Sequence, residues 1–436
     1  MTASQNQPVQ QQALNLWRWP CVLLVIFSAC SDNRPSADAG FEAADAGIER
    51  DGSAAPGDAS VAADAGLAPD AGLVLDAGWP CSVQSVQRGP LMPQPGALFI
   101  AHLGLGGFAL GEATLAQLPD GTRILIDVGN DSHASDVVQA VQFFFGDRRI
   151  DYVVLTHHHA DHEDALPDIV AELQVQEVLH RGLTDLTEAA NDNVMQELCA
   201  ARAEVRMVPL CTNADVRCDP AAWAQPATTC TLPWQAEGPH LQILGANAQT
   251  ANVSYERTVG PLHAVDNNGE NARSLVGLLR HGPFAYVFAG DLTGGGSDTD
   301  PVEAFYVQQL QDTLPSADVL HLSHHGRDTS SSQAWMDHVM PADGRPRVAV
   351  AGISTAHLGS PHETVVQATL PRMSGASLYV TKVALGGASE GVVDAQGGTV
   401  RVLTEQDGLQ YAVQAVDEDG RVVQTQVVRS SGACAL

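Results

Sequence analysis

The sequence is poor in basic residues, above all in lysine. Lys382 is the only lysine, and the 22 basic residues face 51 acidic ones, which leaves a formal net charge of −29. This balance excludes passive coating of polyanions and a basic helix on a membrane surface, and it disfavours long nucleic acid as a partner because no basic stripe can release counterions. The sequence also lacks a run of about 18 apolar residues, which excludes a conventional transmembrane helix.

The remaining composition is that of a folded protein. Of the 436 residues, 44% are apolar and 17% are charged. These proportions are typical of a globular chain with a sizeable core, and the length allows roughly two or three units.

Residues 1–30 have the layout of an export signal. Arg18 precedes a short apolar run over Cys21–Ala29, which ends in small residues before Cys30. Because the run ends on Cys30, the segment resembles a bacterial lipoprotein signal, in which that cysteine becomes the lipidated first residue. The resemblance predicts a protein exported and lipid-anchored to the bacterial cell envelope, on its periplasmic or outer-membrane face. An ordinary cleaved signal and a misplaced start codon are the alternatives.

Residues 31–79 form a low-complexity segment. Asp-Ala-Gly and near-copies of it recur every six or seven residues, with almost no aromatic residues between them. Such a segment cannot bury enough apolar surface to offset its chain entropy, so we expect a solvated linker. A calcium site is the alternative, but calcium needs several oxygens that converge closely, and these aspartates are isolated.

The cysteines also favour export. Cys81 and Cys434 bracket the body of the chain and can form a clasp, because the termini of a domain are often close together. Four more cysteines crowd a loop-rich stretch over 198–233, which predicts two disulfides: Cys199, Cys211, Cys218 and Cys230. A four-cysteine zinc site is the alternative, although the spacing lacks Cys-x-x-Cys.

Strand and helix patterns alternate along residues 80–388. Predicted strands are Ala97–His102, Arg123–Asp127, Asp151–Leu155, His240–Leu244, Ser274–Leu279, Phe284–Ala289, Val319–Leu322, Arg347–Ala351 and Ser377–Val380. Predicted helices are Ala134–Phe145, Glu163–Leu173, Asp192–Arg202, Pro301–Leu310 and His362–Leu370. This alternation predicts an α/β domain of layered sheets. Short alternating strands and Asp-Gly turns over 389–436 predict a small C-terminal β extension.

The most distinctive motif is rich in histidine. A strand over Asp151–Leu155 leads into the sequence Thr-His-His-His-Ala-Asp-His at Thr156–His162. In an extended chain, His157 and His159 point to one side and His158 to the other. Imidazole and carboxylate ligands suit zinc, iron or manganese, so the loop predicts a metal site.

This His-x-His-x-Asp-His motif resembles that of the metallo-β-lactamase-fold hydrolases. Ile124–Gly129 and Phe288–Leu292 resemble two further elements of the same superfamily. Other segments resemble the branch that comprises the hydrolase domain of the DNA-uptake protein ComEC and its stand-alone relatives: Gly104–Thr114, Asn271 with Ser274–Val276, and Ser323–Gly326 with Ser330–Ser332. The resemblance covers roughly residues 97–385 and implies a four-layer αββα fold.

The resemblance also implies two divalent metal ions, zinc or else manganese. It assigns His157 and His159 to the first ion, Asp161 and His162 to the second, Asp291 to a bridge between both, and His324 to the completion of the second. Asp127 would orient the metal loop, and a structural turn is the alternative for it. For Asn271 the alternatives are a role in the chemistry and a loop cap.

Two of the departures from the family pattern concern histidines. A further histidine ligand for the first ion is expected before the Gly-Asp strand, and of His180, His240 and His263 we favour His263 because it lies in a loop near Asn271. Gly-Ser-Pro replaces the usual Gly-His-Pro at 359–361. We expect His357 and His362 to lie at a helix N-terminus or on the surface, and a position facing the cleft is the alternative for either residue.

The resemblance implies hydrolysis by a metal-activated hydroxide, because metal binding lowers the pKa of water to about 7. Asp161 could accept the water's proton, and Arg327 could clamp an anion because a guanidinium grips phosphate in two places. The favoured substrate is a phosphodiester or another small anionic compound. A lactam, lactone or thioester hydrolase and a non-catalytic, tethered metal-binding protein are the alternatives.

Overall fold

The computed structural model describes residues 81–107, 109–182, 205–212, 229–238, 240–262, 269–297 and 299–434. The signal and linker predicted for 1–79, the helix predicted over 192–202, and Cys199, Cys218 and His263 lie outside these residues.

Twenty strands lie within the described residues. They are β1 (Val83–Ser85), β2 (Phe99–His102), β3 (Thr114–Gln117), β4 (Arg123–Ile126), β5 (Arg149–Val154), β6 (Gln174–His180), β7 (Arg206–Pro209), β8 (Cys211–Thr212), β9 (Thr229–Cys230), β10 (Trp234–Gln235), β11 (Leu241–Gly245), β12 (Val276–His281), β13 (Phe284–Phe288), β14 (Val319–His321), β15 (Val348–Ala351), β16 (Leu378–Val380), β17 (Val392–Asp394), β18 (Thr399–Thr404), β19 (Gln410–Val416) and β20 (Val422–Arg429).

Seven α-helices accompany the strands in the same part of the chain. They are α1 (Ala134–Phe145), α2 (Ala160–Glu163), α3 (Leu166–Glu172), α4 (Tyr255–Thr258), α5 (Val302–Leu310), α6 (Gln333–Val339) and α7 (Glu363–Thr369). Among the described residues, none of these helices has both the length and the apolar character needed to cross a bilayer.

Two large sheets organise the fold. The first has ten strands in the order β1-β20-β19-β18-β2-β3-β4-β5-β6-β7, and the second has eight in the order β10 to β17. Apolar side chains pack between the two sheets, where Ile100 and Ile126 lie in one cluster with Tyr286 and Val350. Helices α1 and α3 cover the outer face of the first sheet, and α5, α6 and α7 cover that of the second. The predicted four-layer α/β architecture is therefore confirmed.

Helix α1 shows how local sequence sets an element. Val137, Val141 and Phe144 recur at helical spacing and are buried against the first sheet. The helix ends at Gly146, whose φ of 73° is the left-handed conformation that glycine adopts without a steric penalty. The prediction of a helix over Ala134–Phe145 is confirmed.

The C-terminal segment is part of the first sheet. Strand β18 pairs with β2 on one side and with β19 on the other, so the residues predicted as a small extension lie in the middle of the sheet. The physical reason is that β19 is buried along almost its whole length, which an edge appendage would not allow.

Two disulfides lie within the described residues. Cys81 is bonded to Cys434, as predicted, and Cys211 is bonded to Cys230, which links the paired strands β8 and β9. Disulfides are typical of an oxidising, extracytoplasmic compartment.

Parallel strands bring the polar loops together. Strands β4 and β5 run parallel in the first sheet, and β13 to β16 run parallel in the second. Because the carboxyl ends of parallel strands meet at one edge, the residues after β4, β5, β13, β14 and β15 form one polar centre.

Candidate metal centre

The histidine loop follows β5 and leads into α2. His157 and His158 are both fully buried but face different surroundings. His158 Nδ1 lies 2.5 Å from Glu163 Oε2, and its Nε2 lies 3.0 Å from the carbonyl oxygen of Gly182. His158 thus points away from the centre, as the alternation of an extended chain predicts.

The first group of candidate ligands consists of His157, His159 and Asp291. Their ligand atoms all lie within 4.8 Å of one another. His157 Nε2 is 3.0 Å from His159 Nδ1 and 3.7 Å from Asp291 Oδ2. His324 Nε2 lies 3.6 Å from the same Asp291 oxygen. The two histidines predicted for the first ion, His157 and His159, therefore meet the predicted bridge Asp291. His324 lies beside this group.

The second group surrounds the other side of Asp291. His162 Nε2 is 3.3 Å from Asp291 Oδ1 and 3.8 Å from Asp161 Oδ2. His325 Nε2 is 3.4 Å from Asp161 Oδ2 and 3.8 Å from Asp291 Oδ2. The histidine that faces Asp161 here is therefore His325, the neighbour of the residue assigned from the sequence.

Backbone geometry explains why the two adjacent histidines differ. His324 and His325 both have positive φ values, 54° and 55°, and Gly326 follows with 73°. Such a turn cannot be read from the sequence, because non-glycine residues adopt left-handed φ only occasionally. The same turn places His324 Nδ1 2.5 Å from Thr329 Oγ1.

Partners on the Nδ1 side fix the protons of three histidines. His162 Nδ1 donates to Asp127 Oδ2 at 2.8 Å, and His325 Nδ1 donates to the carbonyl oxygen of Gly352 at 2.9 Å. Thr156 gives its hydroxyl proton to Asp127 at 2.8 Å, so its oxygen can accept from His157 Nδ1 at 3.1 Å. With the proton on Nδ1, each neutral ring presents the Nε2 lone pair to the centre.

These lone pairs fit a metal ion. His162 Nε2, His325 Nε2 and Asp291 Oδ1 are buried and have no hydrogen-bond partner among the described residues. Buried polar atoms are normally paired, so their convergence needs an additional group. Imidazole and carboxylate ligands oriented by outer partners are the donor set of zinc and related divalent ions.

The charge balance points the same way. Burial opposes charge on His162, but the carboxylates of Asp291 and Asp161 outweigh it and raise the pKa of His162 well above its ordinary value. Burial also opposes charge on His325, but Asp291, Asp161 and Glu112 raise its pKa to about 10. The carboxylates therefore stabilise positive charge between His162 and His325. A divalent cation bound there would supply that positive charge.

Two other histidines stay neutral. Burial lowers the pKa of His324 to about 4 despite the nearby carboxylate of Asp291. Burial and the neighbouring His325 likewise lower the pKa of His357 to about 4.

Sequence reasoning gave Glu112 no role. Its carboxylate lies 2.9 Å from His325 Nδ1 and 2.5 Å from His321 Nε2, and its backbone N–H donates to the carbonyl oxygen of Asp161. A Cβ at Gly352 would lie 2.8 Å from the Glu112 carboxyl carbon, so the close approach requires glycine there. The weak glycine-rich turn around Gly111 was the only signal that could have found this residue.

His357 lies in the centre, which contradicts the expectation of a helix terminus or surface. It is 1% exposed, and its ring stacks on His325 with centroids 3.6 Å apart. Its Nε2 is 3.5 Å from Asp161 Oδ2. His362 does lie at a helix N-terminus, where its side chain caps α7 and is 42% exposed.

The other predicted residues have separate surroundings. Asn271 is buried, and its Oδ1 has no hydrogen-bond partner among the described residues. Arg327 lies close enough to His324 for its charge to contribute to the lowered pKa of His324, after burial and His325. His180 accepts from the Gly182 N–H, and His240 contacts the carbonyl oxygen of Arg280 at 2.9 Å.

Residues 106–188 match the family model described as the metallo-beta-lactamase superfamily. The matched segment includes Asp127 and the loop over His157–His162, and it ends before Asp291. A search of curated proteins finds no match to this chain.

Solved structures that match this chain have low sequence identity. A diphosphatase of the PhnP family is 14% identical, with a TM-score of 0.33, and the match covers 70% of this chain and 96% of that one. The metallo-β-lactamase SMB-1 is 16% identical, with a TM-score of 0.29 and coverage of 54% and 80%. A metallo-β-lactamase from Hirschia baltica is 14% identical, with a TM-score of 0.26 and coverage of 56% and 89%. Likeness at this level does not extend to a shared substrate.

Proposed function

We propose that the protein is an exported, metal-dependent hydrolase that acts on a phosphodiester or another small anionic substrate. The observation that carries the proposal is the convergence, at one edge of two sheets, of histidine Nε2 atoms and carboxylates whose outer partners leave the lone pairs free. The candidate ligands come from the loops after three strands, β5, β13 and β14, so the centre forms only where the two sheets meet.

The residues that would hold two divalent ions divide around Asp291. His157 and His159 would hold the first ion, with His324 beside them, and Asp161, His162 and His325 would hold the second. Such ions lower the pKa of water from about 15.7 to about 7 and polarise the scissile oxygen.

The chain's own groups orient and receive protons. Asp127 and the carbonyl oxygen of Gly352 hold His162 and His325 in the binding tautomer. Asp161 has a side chain that is 17% exposed, so it is the carboxylate in this set best placed to accept a proton from an attacking water.

An anionic substrate is favoured by the local charges. Arg327 lies near His324 at the rim, and its Nε is buried without a hydrogen-bond partner among the described residues. A guanidinium with free donors can bind a phosphate group in two places. The overall acidity of the chain limits this preference to small anions, because it offers no extended basic surface.

The proposed location is the outside of the cytoplasmic membrane. The disulfides Cys81–Cys434 and Cys211–Cys230 support an oxidising compartment. The lipoprotein-like signal supports lipidation of Cys30, with residues 31–79 as a tether between the lipid and the folded body.

A substrate panel with and without chelator tests this function. We expect bis-p-nitrophenyl phosphate to be hydrolysed by the metal-loaded protein, with turnover lost on chelation and restored by zinc or manganese. Asp291→Asn should abolish turnover, whereas Asp168→Asn, an exposed acid on α3, should not change it. Turnover of nitrocefin or a homoserine lactone instead would contradict the phosphodiester assignment. Bound metal without any turnover would favour a tethered binding protein.

A further inference from the structure

His357 is held in the centre by its backbone turn and by ring stacking. It lies in a tight turn after β15, in which its backbone N–H donates to the carbonyl oxygen of Ser354 and the Ser360 N–H donates to the His357 carbonyl oxygen. Ser354 Oγ reaches the carbonyl oxygen of Ala109, which ties this turn to the first sheet's loop. The ring itself stacks on His325.

Hydrogen bonding determines which ring nitrogen carries the proton. The backbone N–H of Ser354 donates to His357 Nδ1 at 2.8 Å, and a backbone N–H can only donate. Nδ1 must therefore hold a lone pair, and the one proton of the neutral ring lies on Nε2. This is the reverse of His162 and His325, whose Nδ1 atoms face an aspartate oxygen and a carbonyl oxygen.

The acceptor that faces the proton on Nε2 is Asp161 Oδ2, 3.5 Å away, which is at the outer limit of a hydrogen bond. His357 Nε2 is buried and makes no closer hydrogen bond among the described residues. A nitrogen that carries a proton cannot ligate a metal. The cluster of Asp161, His325 and His357 therefore supplies two ligands and one donor, although its spacing alone would suit three ligands.

We propose that His357 donates its Nε2–H to an oxygen of the bound anion and is not a metal ligand. The inference rests on the proposed function, since it assigns one contact of the phosphate-like group in that same centre. A buried, preoriented donor stabilises negative charge on such an oxygen because no solvent has to reorganise around it. It also selects substrates with a tetrahedral oxyanion group over neutral ones.

The experiment compares His357→Ala, His357→Gln and wild type in the metal-loaded full-length protein. His240→Ala is the matched control, because His240 lies beside His281, near the start of β13 and at the opposite end of that strand from Asp291. The readouts are metal content per chain, inorganic phosphate affinity by calorimetry, and turnover of bis-p-nitrophenyl phosphate.

We expect His357→Ala to keep the wild-type metal content, to bind phosphate about tenfold more weakly, and to lose about a hundredfold in kcat/KM. His357→Gln should recover part of both losses, because its amide N–H can replace the donor. A drop of about one metal ion per chain in His357→Ala would overturn the inference, because it would make His357 a ligand. Unchanged phosphate affinity in His357→Ala would also overturn it, because His357 would then act only by holding Asp161. If wild type binds phosphate but turns over no phosphodiester, the proposed function fails while the phosphate comparison still decides the role of His357.

Discussion

At the scale of single residues, the centre depends on where protons sit. Asp127 accepts from the backbone N–H and hydroxyl of Thr156 at 2.7 and 2.8 Å and from His162 Nδ1 at 2.8 Å. One carboxylate thus fixes the loop and the tautomer of a candidate ligand. Asp127 is therefore part of the site through its hydrogen bonds to Thr156 and His162, although it is not a candidate metal ligand itself.

Replacing Asp127 with asparagine should weaken metal binding. The asparagine amide can turn its N–H towards His162 Nδ1, which would move the ring proton to Nε2 and block the lone pair. We expect the affinity for zinc to fall about tenfold to a hundredfold, measured by competition with a chromophoric chelator. Asp168→Asn, on the exposed face of α3, is the control, and equal affinities in the two variants would refute the role of Asp127.

Arg327 should act on substrate binding. Arg327→Ala should raise the KM for bis-p-nitrophenyl phosphate about tenfold with a smaller change in kcat, since a charge-assisted hydrogen bond is worth roughly 2 kcal/mol. Arg327→Lys should recover only part of the loss, because an ammonium lacks the planar fork. An unchanged KM in Arg327→Ala would remove this residue from the site.

The residues whose proximity follows from local sequence alone are those that share one short loop, whereas Asp127, Asp291 and His324 were assigned from the family resemblance. His157, His159, Asp161 and His162 lie within six positions, so their proximity needed no knowledge of the fold. His325, Glu112 and His357 were different. Their positions depend on left-handed turns and on the meeting of two sheets, which no local pattern encodes.

At the scale of elements, strands and helices with a long run or clear periodicity of apolar residues were predictable from the sequence. Short elements with few apolar residues were not. The prediction of a strand over Phe284–Ala289 is confirmed as β13 because every residue of that strand is buried. Helix α6 escaped prediction, since seven residues with three buried ones give too little periodicity. The predicted helix over Glu163–Leu173 corresponds to α3, which begins at Leu166, whereas Glu163 ends the separate short helix α2 of the metal loop.

Glu303 joins two of these elements. It lies on α5, is fully buried, and accepts from the backbone N–H groups of Ser331 and Ser332 at 2.7 and 2.6 Å, just before α6. Burial raises its pKa to about 7 despite these hydrogen bonds.

The raised pKa of Glu303 predicts a pH dependence of stability. The folded state holds the proton more tightly than the unfolded state, whose pKa is 4.5, so the free energy of unfolding should fall as pH rises from about 4.5 to 7. Glu303→Gln cannot ionise and should lack this component. In urea unfolding at pH 5 and pH 8, the stability of the variant relative to wild type should improve by about 2 kcal/mol at the higher pH. Parallel pH profiles for the two proteins would contradict the raised pKa.

At the scale of the whole molecule, the C-terminal strands complete the structure that carries the centre. β18 to β20 connect β1 to β2 within the ten-stranded sheet. Their hairpins were predictable from alternating residues and Asp-Gly turns, but their central place was not, because strand pairing across about 300 residues leaves no local signature.

The disulfide Cys81–Cys434 should stabilise this closed arrangement. It links residues 353 positions apart, and constraining so long a loop in the unfolded chain is worth about 2–5 kcal/mol. Cys81→Ser and Cys434→Ser should each lower the free energy of unfolding by that amount, and the double variant by no more than either single one. An additive loss in the double variant would show that the cysteines act separately.

The metal content of the purified full-length protein tests the central claim most directly. Elemental mass spectrometry of wild type, after dialysis against zinc-free buffer, should find close to two divalent ions per chain. The same measurement on Asp291→Asn should find about one ion or fewer, because that carboxylate lies between both ligand groups. Wild-type protein without stoichiometric metal, also after incubation with zinc or manganese, would contradict the account.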